Sequence, residues 1–339
     1  MTLALDTDAV TAWAQEHVPD FAGPVYAEQF SGGQSNPTYR LDTPGACYVL
    51  RRQPPGKLLK SAHAVDREFR VQKALKDSDV PVVTMCAFCE DTSVIGSQFY
   101  VMDHAYGRVF DQPSLPDLGS DERSDVIDVM NRVLAAIHEV DLDATGLQDF
   151  GPTGHYCQRQ TDRWTKQYRA SQTDEIGDMD ALITWLHANM PADDGQRRLV
   201  HGDYRLDNLL FAPDRPEILA VLDWELSTTG HPYADLAAVI MQWSMPAGSE
   251  GRGLAGVDRA ALGLWSDEKF IAMYCERRGL AGIQAFNFYL AFAFFRMAAI
   301  LQGVKKRALE GNAADPERGR KLGEYVPLFA RAGLEAATA

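Results

Sequence analysis

Cysteine is scarce in this chain of 339 residues, which contains only five. An odd number of cysteines forms no complete set of disulfides, so reduced thiols in a cytoplasm are the simplest interpretation. The first eight residues also lack the basic segment and the long apolar core of a signal peptide. Cys86 and Cys89 form a lone C-x-x-C pair with no second pair or nearby histidine, which does not predict a zinc site. We therefore expect a cytoplasmic protein.

Positive charge is also scarce. There are 33 Lys and Arg residues against 47 Asp and Glu, which gives a net charge of −14. Nucleic acids and anionic membranes attract basic surfaces, so this balance disfavours both as partners. Long apolar runs are missing too, because Asn287 and Arg296 interrupt the most apolar stretch, residues 286–301. That stretch is too short and too polar to span a bilayer, and it predicts a buried helix.

The chain lacks a Walker A loop. It does contain a different glycine-rich loop, at residues 30–39, between two segments typical of strands. Small residues would let backbone N–H groups approach a phosphate, and Ser35 could add a hydroxyl group. A plain hairpin turn explains the same residues, so this loop alone does not predict a nucleotide site.

The strongest chemical signal lies in residues 199–211 and 218–225. Asp203 follows His-Gly and precedes Asn208 by five residues, and a second apolar run ends in Asp223. The Pro-rich turn at residues 212–216 predicts a hairpin that places Asn208 and Asp223 side by side at one end, with Asp203 on the loop before it. Magnesium-dependent phosphoryl transfer requires such a set, a carboxylate for the hydroxyl and two oxygen ligands for the metal. Each residue alone is equally typical of a turn or a strand end, but the combination predicts a kinase-type site.

A second pattern lies in the N-terminal part. The strand that includes residues 48–51 ends in Arg51, and residues 62–75 predict a helix that carries Glu68 beside its apolar face. A strand cation paired with a helix glutamate can hold the α- and β-phosphates of a nucleotide. The alternative is that Arg51, Arg52 and Glu68 are solvated surface charges, the usual fate of such residues.

Two residues of the C-terminal part are candidates for a supporting role. Asp235, at the start of a predicted helix, is a candidate hydrogen-bond acceptor behind the site. His138 ends the amphipathic helix predicted at residues 121–140, where capping or packing is the more common role.

The combined motifs resemble the aminoglycoside phosphotransferase and choline kinase-like family over residues 25–310. His201-Gly202-Asp203, Asn208 and the Asp-Trp-Glu at residues 223–225 carry the likeness. Within the family, residues 51–59, 65–68 and 299–303 are most similar to the kinase-like domain fused to acyl-CoA dehydrogenases. The resemblance implies an α+β, bilobal protein-kinase-like fold. A small N-lobe with an antiparallel sheet would span residues 1–107, and a larger, mainly helical C-lobe with the catalytic loop and substrate site would span residues 108–339.

The resemblance also implies roles. Asp203 would be the catalytic base, with Arg205 near the γ-phosphate, and Asn208 and Asp223 would bind Mg²⁺. Glu68 would pair with the strand cation, Arg51 or its neighbour Arg52, where kinases usually have lysine. The nucleotide, ATP or GTP, would be bound by Ser35, Arg51 and Glu68 and by the segment Met102, Asp103 and His104, whose backbone would contact adenine.

The acceptor predicted from this resemblance is a small molecule with a hydroxyl group, because no protein-kinase activation segment is evident. A hydroxyacyl-CoA is one candidate and an aminoglycoside antibiotic is the other. A catalytically silent nucleotide-binding module is a further alternative, since fold does not fix function. Three groups of residues bear on the choice: the acidic run Asp174, Glu175, Asp178 and Asp180, the aromatic residues Trp243, Tyr274, Phe288 and Phe292, and the cations Lys57, Lys60, Arg277 and Arg278.

Overall fold

The computed structural model of the protein describes residues 5–30, 36–54, 63–248, 252–313 and 315–338. The strands are β1 Tyr26–Gln29, β2 Thr38–Asp42, β3 Cys47–Arg52, β4 Met85–Cys89, β5 Phe99–Asp103, β6 Arg198–Val200, β7 Leu209–Phe211, β8 Ile218–Val221 and β9 Thr228–Gly230. The helices are α1 Thr7–His17, α2 Val65–Ala74, α3 Ser120–Glu139, α4 Tyr156–Ser171, α5 Gly177–Ala188, α6 Pro232–Trp243, α7 Arg259–Leu262, α8 Asp267–Arg277, α9 Phe286–Leu309, α10 Pro316–Gly323 and α11 Val326–Thr338.

The chain divides into two compact units. Unit 1 consists of Met1–Phe110, Asp141–Leu147 and Asp207–Ser227, and unit 2 consists of Asp111–Val140, Gln148–Leu206 and Thr228–Ala339. Unit 1 therefore takes in the β7–β8 hairpin as well as the N-terminal sheet. A functional division between residues 107 and 108 stays a prediction.

Unit 1 is built on a five-stranded antiparallel sheet in the order β1-β2-β3-β5-β4. Helix α1 covers one part of it, where Val10 and Ala14 are buried together with Leu41, Leu50 and Phe99. Strand β3 lies in the middle, and Arg51 stands opposite Tyr100 of β5. This central position, with neighbours on both sides, fixes the direction of the β3 side chains.

Unit 2 is mainly helical, with one short ladder between β6 and β9. Its central element is α9, which packs against α4, α6, α10 and α11. By length and composition alone α9 could cross a membrane, but its aromatic side chains lie in the interior of unit 2. The prediction of a buried helix here is confirmed. Fully or almost fully buried residues of α9 include Phe288, Tyr289, Phe292 and Phe295.

Candidate functional site

Arg51 and Glu68 form an ion pair inside unit 1. The Nε atom of Arg51 lies 2.9 Å from Oε2 of Glu68, whose side chain is only 1% exposed. Side chains alternate along a strand, so Arg52 points to the other face. There it donates to Ser97 Oγ at 2.9 Å and to the carbonyl oxygen of Ile95 at 2.6 Å. Of the two candidate cations, Arg51 therefore meets Glu68, and the alternative of solvated surface charges is wrong.

The Glu68 carboxylate also accepts two hydrogen bonds. Asn36 Nδ2 donates to Oε1 at 2.8 Å, and the Tyr100 hydroxyl donates to Oε2 at 3.0 Å. Burial raises the pKa of Glu68 to about 7, and the Arg51 guanidinium opposes that rise. A buried charge is tolerated when it is paired and hydrogen-bonded, which these three donors achieve. The result is a carboxylate held in one orientation between α2 and the sheet.

The predicted hairpin forms within unit 1. Leu209 of β7 pairs with Val221 of β8, and the N–H of Leu222 donates to the carbonyl oxygen of Asn208 at 2.8 Å. Asp223 follows Leu222 directly. The backbone pairing therefore brings Asn208 and Asp223 to the same end of the hairpin.

Asp223 has an unusual backbone, with φ of 61° and ψ of 59° in the left-handed region. Aspartate adopts this conformation more readily than most residues, because its short side chain can bond locally. The turn leaves the Asp223 carboxylate 2.6 Å from Nη2 of Arg51, and the Glu225 carboxylate 3.9 Å from the same atom. Arg51 therefore connects Glu68 to the end of the hairpin.

The donor set at the hairpin end fits Mg²⁺. Asn208 and Asp223 supply oxygen atoms, which this ion prefers, and it commonly binds to one or two protein carboxylates together with nucleotide phosphates and water. Asp223 contacts Arg51 through Oδ1. Among the described residues no group of three or more His, Cys, Asp or Glu side chains could hold a metal ion alone. Magnesium at this position would therefore depend on a phosphate-bearing partner.

In unit 2 the backbone of the His-Gly-Asp segment, residues 201–203, is held by the buried carboxylate of Asp235. The Asp235 carboxylate, at the start of α6, accepts from the N–H of His201 at 2.6 Å and from the N–H of Gly202 at 3.0 Å. Burial alone would raise the pKa of Asp235, but the hydrogen bonds with His138 and His201 hold this pKa below its usual value. The supporting role predicted for Asp235 corresponds to these contacts.

His138 continues this buried network. Its Nε2 lies 3.5 Å from Asp235, and its Nδ1 lies 2.7 Å from the hydroxyl of Tyr274. That hydroxyl in turn accepts from Arg278 at 2.7 Å. Burial lowers the pKa of His138, although the neighbouring Asp235 opposes this, and so favours the neutral ring. The network therefore joins helices α3, α6 and α8 beneath the loop.

Asp203 remains accessible while its loop is held. Its side chain is 37% exposed, and Oδ2 lies 3.5 Å from Nε of Arg205. Gly202 adopts a left-handed φ of 84°, which favours glycine. Arg296 of α9 donates to the Gly202 carbonyl oxygen at 2.9 Å and lies over the Trp164 ring. A fixed backbone with an exposed carboxylate is the arrangement that a general base requires.

The segment predicted to contact adenine continues from β5. The N–H of Asp103 donates to the carbonyl of Thr84 at 2.9 Å, and the N–H of His104 donates to the carbonyl of Cys47 at 3.3 Å. Met102 lies within the strand. These two N–H groups are therefore already used within unit 1 and are not available to a nucleotide base.

Comparison with known proteins identifies the group to which this site belongs. Residues 27–283 match the model of the phosphotransferase enzyme family, abbreviated APH. The chain belongs to this family. Membership confirms the enzyme class predicted from the sequence, a phosphotransferase.

Relatives of this phosphotransferase occur in longer proteins. The chain is 46% identical over 333 residues to mouse acyl-CoA dehydrogenase family member 10, and the match covers 97% of the chain and 31% of the relative. The chain thus spans about a third of that relative's length. The predicted likeness to the kinase-like domain of such proteins is confirmed.

Solved structures confirm the fold. A Ralstonia eutropha protein assigned to the aminoglycoside phosphotransferases superposes with a TM-score of 0.91 at 47% identity, over 99% of both chains. A choline kinase of Cryptosporidium parvum superposes with a TM-score of 0.64 at 11% identity, over 98% of this chain and 96% of its own. The predicted α+β kinase-like fold is therefore correct.

The structure distributes the predicted site residues over both units. Unit 1 brings together Arg51, Glu68 and Asp223, whereas Asp203 and Arg205 lie together in unit 2. Ser35 lies outside the described residues, as do Lys57 and Lys60. Unit 1 contains these predicted site residues: Arg51, Glu68, Met102, Asp103, His104, Asn208 and Asp223.

Three contacts were missed by the sequence analysis. Asn36 and Tyr100 bind Glu68, and Arg296 binds the loop before Asp203. Tyr100 could have been found from strand register, because it stands opposite Arg51. No local sequence pattern indicated the contacts of Asn36 and Arg296, because their partners lie 32 and 94 residues away along the chain.

The residues that bear on the acceptor take structural roles. The acidic run pairs with cations, Asp174 with Lys305, Asp178 with Arg331 and Asp180 with Arg169. The aromatic candidates Trp243, Tyr274, Phe288 and Phe292 are at most 4% exposed and belong to the core. Arg277 binds Asp128, and Arg278 binds Glu139. Packing and ion pairing thus account for these described residues, and the location of the acceptor site stays a prediction.

Proposed function

We propose that this chain transfers the γ-phosphate of ATP, or of GTP, to a hydroxyl group of a small molecule in the cytoplasm. The observation that carries the proposal is the contact of Arg51 with both Glu68 and Asp223. It joins the cation for the nucleotide phosphates to the carboxylate that would hold the metal, and phosphoryl transfer needs both. Family membership supports the same reaction.

Asp203 is the catalytic base in this proposal. Its carboxylate accepts the proton of the acceptor hydroxyl as the oxygen attacks the γ-phosphorus, and the bond from that phosphorus to the β–γ bridging oxygen breaks. Arg205, 3.5 Å from Asp203, neutralises charge on the transferred group. The exposure of Asp203 on a held backbone supports this role.

The remaining predicted residues hold the nucleotide. Arg51, oriented by Glu68, binds the α- and β-phosphates, and Asn208 and Asp223 hold Mg²⁺. When bound, this ion neutralises the charge of the phosphates. Ser35 contributes a hydroxyl group to the phosphates. The carbonyl groups of the segment Met102, Asp103 and His104 contact the base.

For the acceptor we propose a hydroxylated acyl group, carried as its coenzyme A thioester. Relatives with 40 to 46% identity are named as acyl-CoA dehydrogenase family proteins. The acidic run of unit 2 is already paired with cations, which removes one candidate lining for a polycationic antibiotic. The rival acceptor is an aminoglycoside, favoured by the assignment of the Ralstonia protein.

A competition experiment tests the acceptor. A 3-hydroxyacyl-CoA or 4-hydroxyacyl-CoA and kanamycin are incubated at equal concentration with the protein, labelled ATP and magnesium. We expect label in the acyl-CoA product, and none with the Asp203→Asn variant. Faster labelling of kanamycin would replace this acceptor by the antibiotic. Labelling of neither, with ATP bound, would favour the silent nucleotide-binding module.

A further inference from the structure

A small pocket in unit 2 is lined by none of the residues assigned above. It is formed by the first turn of α4, the segment before β6, and β9, and it has a free volume of about 110 Å³. One wall is the Tyr156 ring, packed so tightly on Gly230 that a Cβ at position 230 would lie 2.4 Å from it. A cavity of about 150 Å³ accepts benzene, so this pocket has room for one small polar group.

Two arginines line the pocket. Arg159 donates through Nη2 to the carbonyl of Pro152 at 3.2 Å, and Arg197 donates through Nη2 to the carbonyl of Gly151 at 2.9 Å. These bonds fix the direction of both guanidinium groups. The Nε atoms of both arginines are buried and have no hydrogen-bond partner in the described residues. Buried donors without partners are rare and call for an explanation.

Within the described ranges, both arginines bind carbonyl oxygen atoms and not carboxylates. Asp193 also lines the pocket, but its Oδ1 accepts from the N–H of Gly195 at 3.1 Å. The hydroxyl of Thr229, a residue only 1% exposed, lines the pocket and has no partner either. Two cations against the single carboxylate of Asp193 leave an excess of positive charge in a confined space, and with the Thr229 hydroxyl this matches the chemistry of an oxyanion.

The pocket is linked to the loop of Asp203 within unit 2. The Tyr156 ring lies near both: burial raises the pKa of Tyr156 to about 12, and the charges of Arg296 and Arg159 oppose that rise. Arg296 in turn binds the carbonyl group of Gly202. Asp203 follows Arg197 by six residues, so their Cα atoms are at most about 20 Å apart. An elongated ligand anchored in the pocket is long enough to span that distance.

We propose that this pocket binds an anionic group, a phosphate or a carboxylate, of the molecule whose hydroxyl is phosphorylated. The inference rests on the proposed function and narrows the acceptor to an elongated anion. It also disfavours an aminoglycoside, whose positive charges would face Arg159 and Arg197. The anionic group can come from the phosphates of coenzyme A or from a free carboxylic acid, and both use the same donors.

Calorimetry on the full chain tests the pocket. Inorganic phosphate, coenzyme A and 3-hydroxybutyrate are titrated in the presence of magnesium and a saturating non-hydrolysable ATP analogue, which keeps them out of the nucleotide site. We expect Arg159→Gln and Arg197→Gln each to weaken binding at least tenfold, since each removes a charge-assisted donor. Lys166→Gln, the same charge change at an exposed position of α4, should leave binding unchanged. Tighter arginine-dependent binding of coenzyme A than of 3-hydroxybutyrate would identify the phosphate as the source.

The outcomes separate this inference from the proposed function. If all three anions fail to bind, or bind equally well to the arginine variants, the inference is overturned even when the ATP analogue binds. Arginine-dependent anion binding without any nucleotide binding would leave the pocket in place and contradict the kinase. Arg159→Lys and Arg197→Lys keep the charge, so a partial recovery in them excludes misfolding as the cause of the loss.

Discussion

Arg51 contacts three carboxylates, and its shape determines how it does so. The planar guanidinium group places Nε on Glu68 and Nη2 on Asp223, at 2.9 and 2.6 Å, with Glu225 farther away. A lysine ammonium is a single point charge and cannot span two partners with fixed geometry. The arginine therefore suits a site in which the cation also orients a metal-binding carboxylate.

The first prediction concerns this fork. Arg51→Lys keeps the charge but loses one of the two contacts, so we expect a KM for ATP about tenfold higher with a smaller change in kcat. Arg51→Met, which removes the charge as well, should raise KM further. Steady-state kinetics with varied ATP measures both. Arg52→Lys is the matched control on the other face of β3, and an equal effect there would contradict the assignment of Arg51.

The second prediction concerns the base. Asp203→Asn keeps the size of the side chain but removes the charge that accepts a proton. We expect turnover to fall about 10²-fold or more, the range of general base catalysis, while ATP affinity stays nearly constant. Single-turnover transfer and calorimetry measure the two quantities. Turnover close to that of the unchanged protein would exclude Asp203 as the base.

At the scale of the elements, helix α6 and strand β6 are joined by one buried carboxylate. Asp235 holds the two N–H groups that follow β6, and His138 of α3 contacts the same carboxylate. The loop before Asp203 thus depends on residues from two helices. A change at Asp235 should therefore affect both stability and catalysis.

The third prediction follows from this position. In Asp235→Asn the buried side-chain amide can face the N–H groups of His201 and Gly202 with its own N–H groups. We therefore expect the free energy of unfolding to fall by about 2 kcal/mol or more. For a chain of this length that lowers Tm by about 3 °C. The pKa of Asp235 is lowered in the folded state, so its stabilisation is present above the unfolded pKa and is lost as pH falls through the folded value.

Thermal melting between pH 7 and pH 3 measures this effect. The difference in Tm between the unchanged protein and Asp235→Asn should stay constant down to about pH 5 and become smaller below about pH 4. Asp121→Asn, at an exposed position in the first turn of α3, serves as the control and should change Tm little. A difference that grows at low pH would mean that Asp235 is not ionised in the folded protein.

Local patterns explain which elements the sequence could predict. The hairpin was predicted from the Pro-rich turn after β7 and the two short apolar runs on either side of that turn. Helix α3 was predicted from its regular apolar spacing. The bounds of strands β1 and β4 were not predicted. All four residues of β1 are exposed, and β4 has only one buried residue, so neither shows the alternation that indicates a strand.

The site was predicted to the extent that its residues are close in sequence. Asp203, Asn208 and Asp223 lie within a span of 21 residues, whose turn brings two of them together. The choice of Arg51 over Arg52 needed the register of the sheet, and the partners of Glu68 needed the tertiary fold. The pocket proposed to bind an anion could not be predicted, because its residues come from three separate segments.

At the scale of the whole molecule, each unit has its own core and its own part of the proposed chemistry. Unit 1 contains the residues proposed to bind the nucleotide and the metal, and unit 2 contains the proposed base and the proposed anion pocket. The relatives continue well beyond the region that they share with this chain. The complete set of proposed kinase residues nevertheless lies within these 339 residues. We therefore expect the chain to bind nucleotide without any further domain.

The fourth prediction tests this together with the metal. A ligand at 100 times its Kd stabilises the folded state by about 2.7 kcal/mol, which for this length corresponds to a Tm rise of about 4 °C. We expect that rise with ATP and magnesium, and a much smaller one when magnesium is removed with a chelator at the same ATP concentration. Asp223→Ala should show the small rise under both conditions, because it lacks the carboxylate that would hold the ion.

Asp214→Asn, in the exposed turn of the same hairpin, should behave like the unchanged protein. If magnesium adds as much to the Tm of Asp223→Ala as to that of the unchanged protein, the ion is held elsewhere. In that case the role proposed for the hairpin end is wrong.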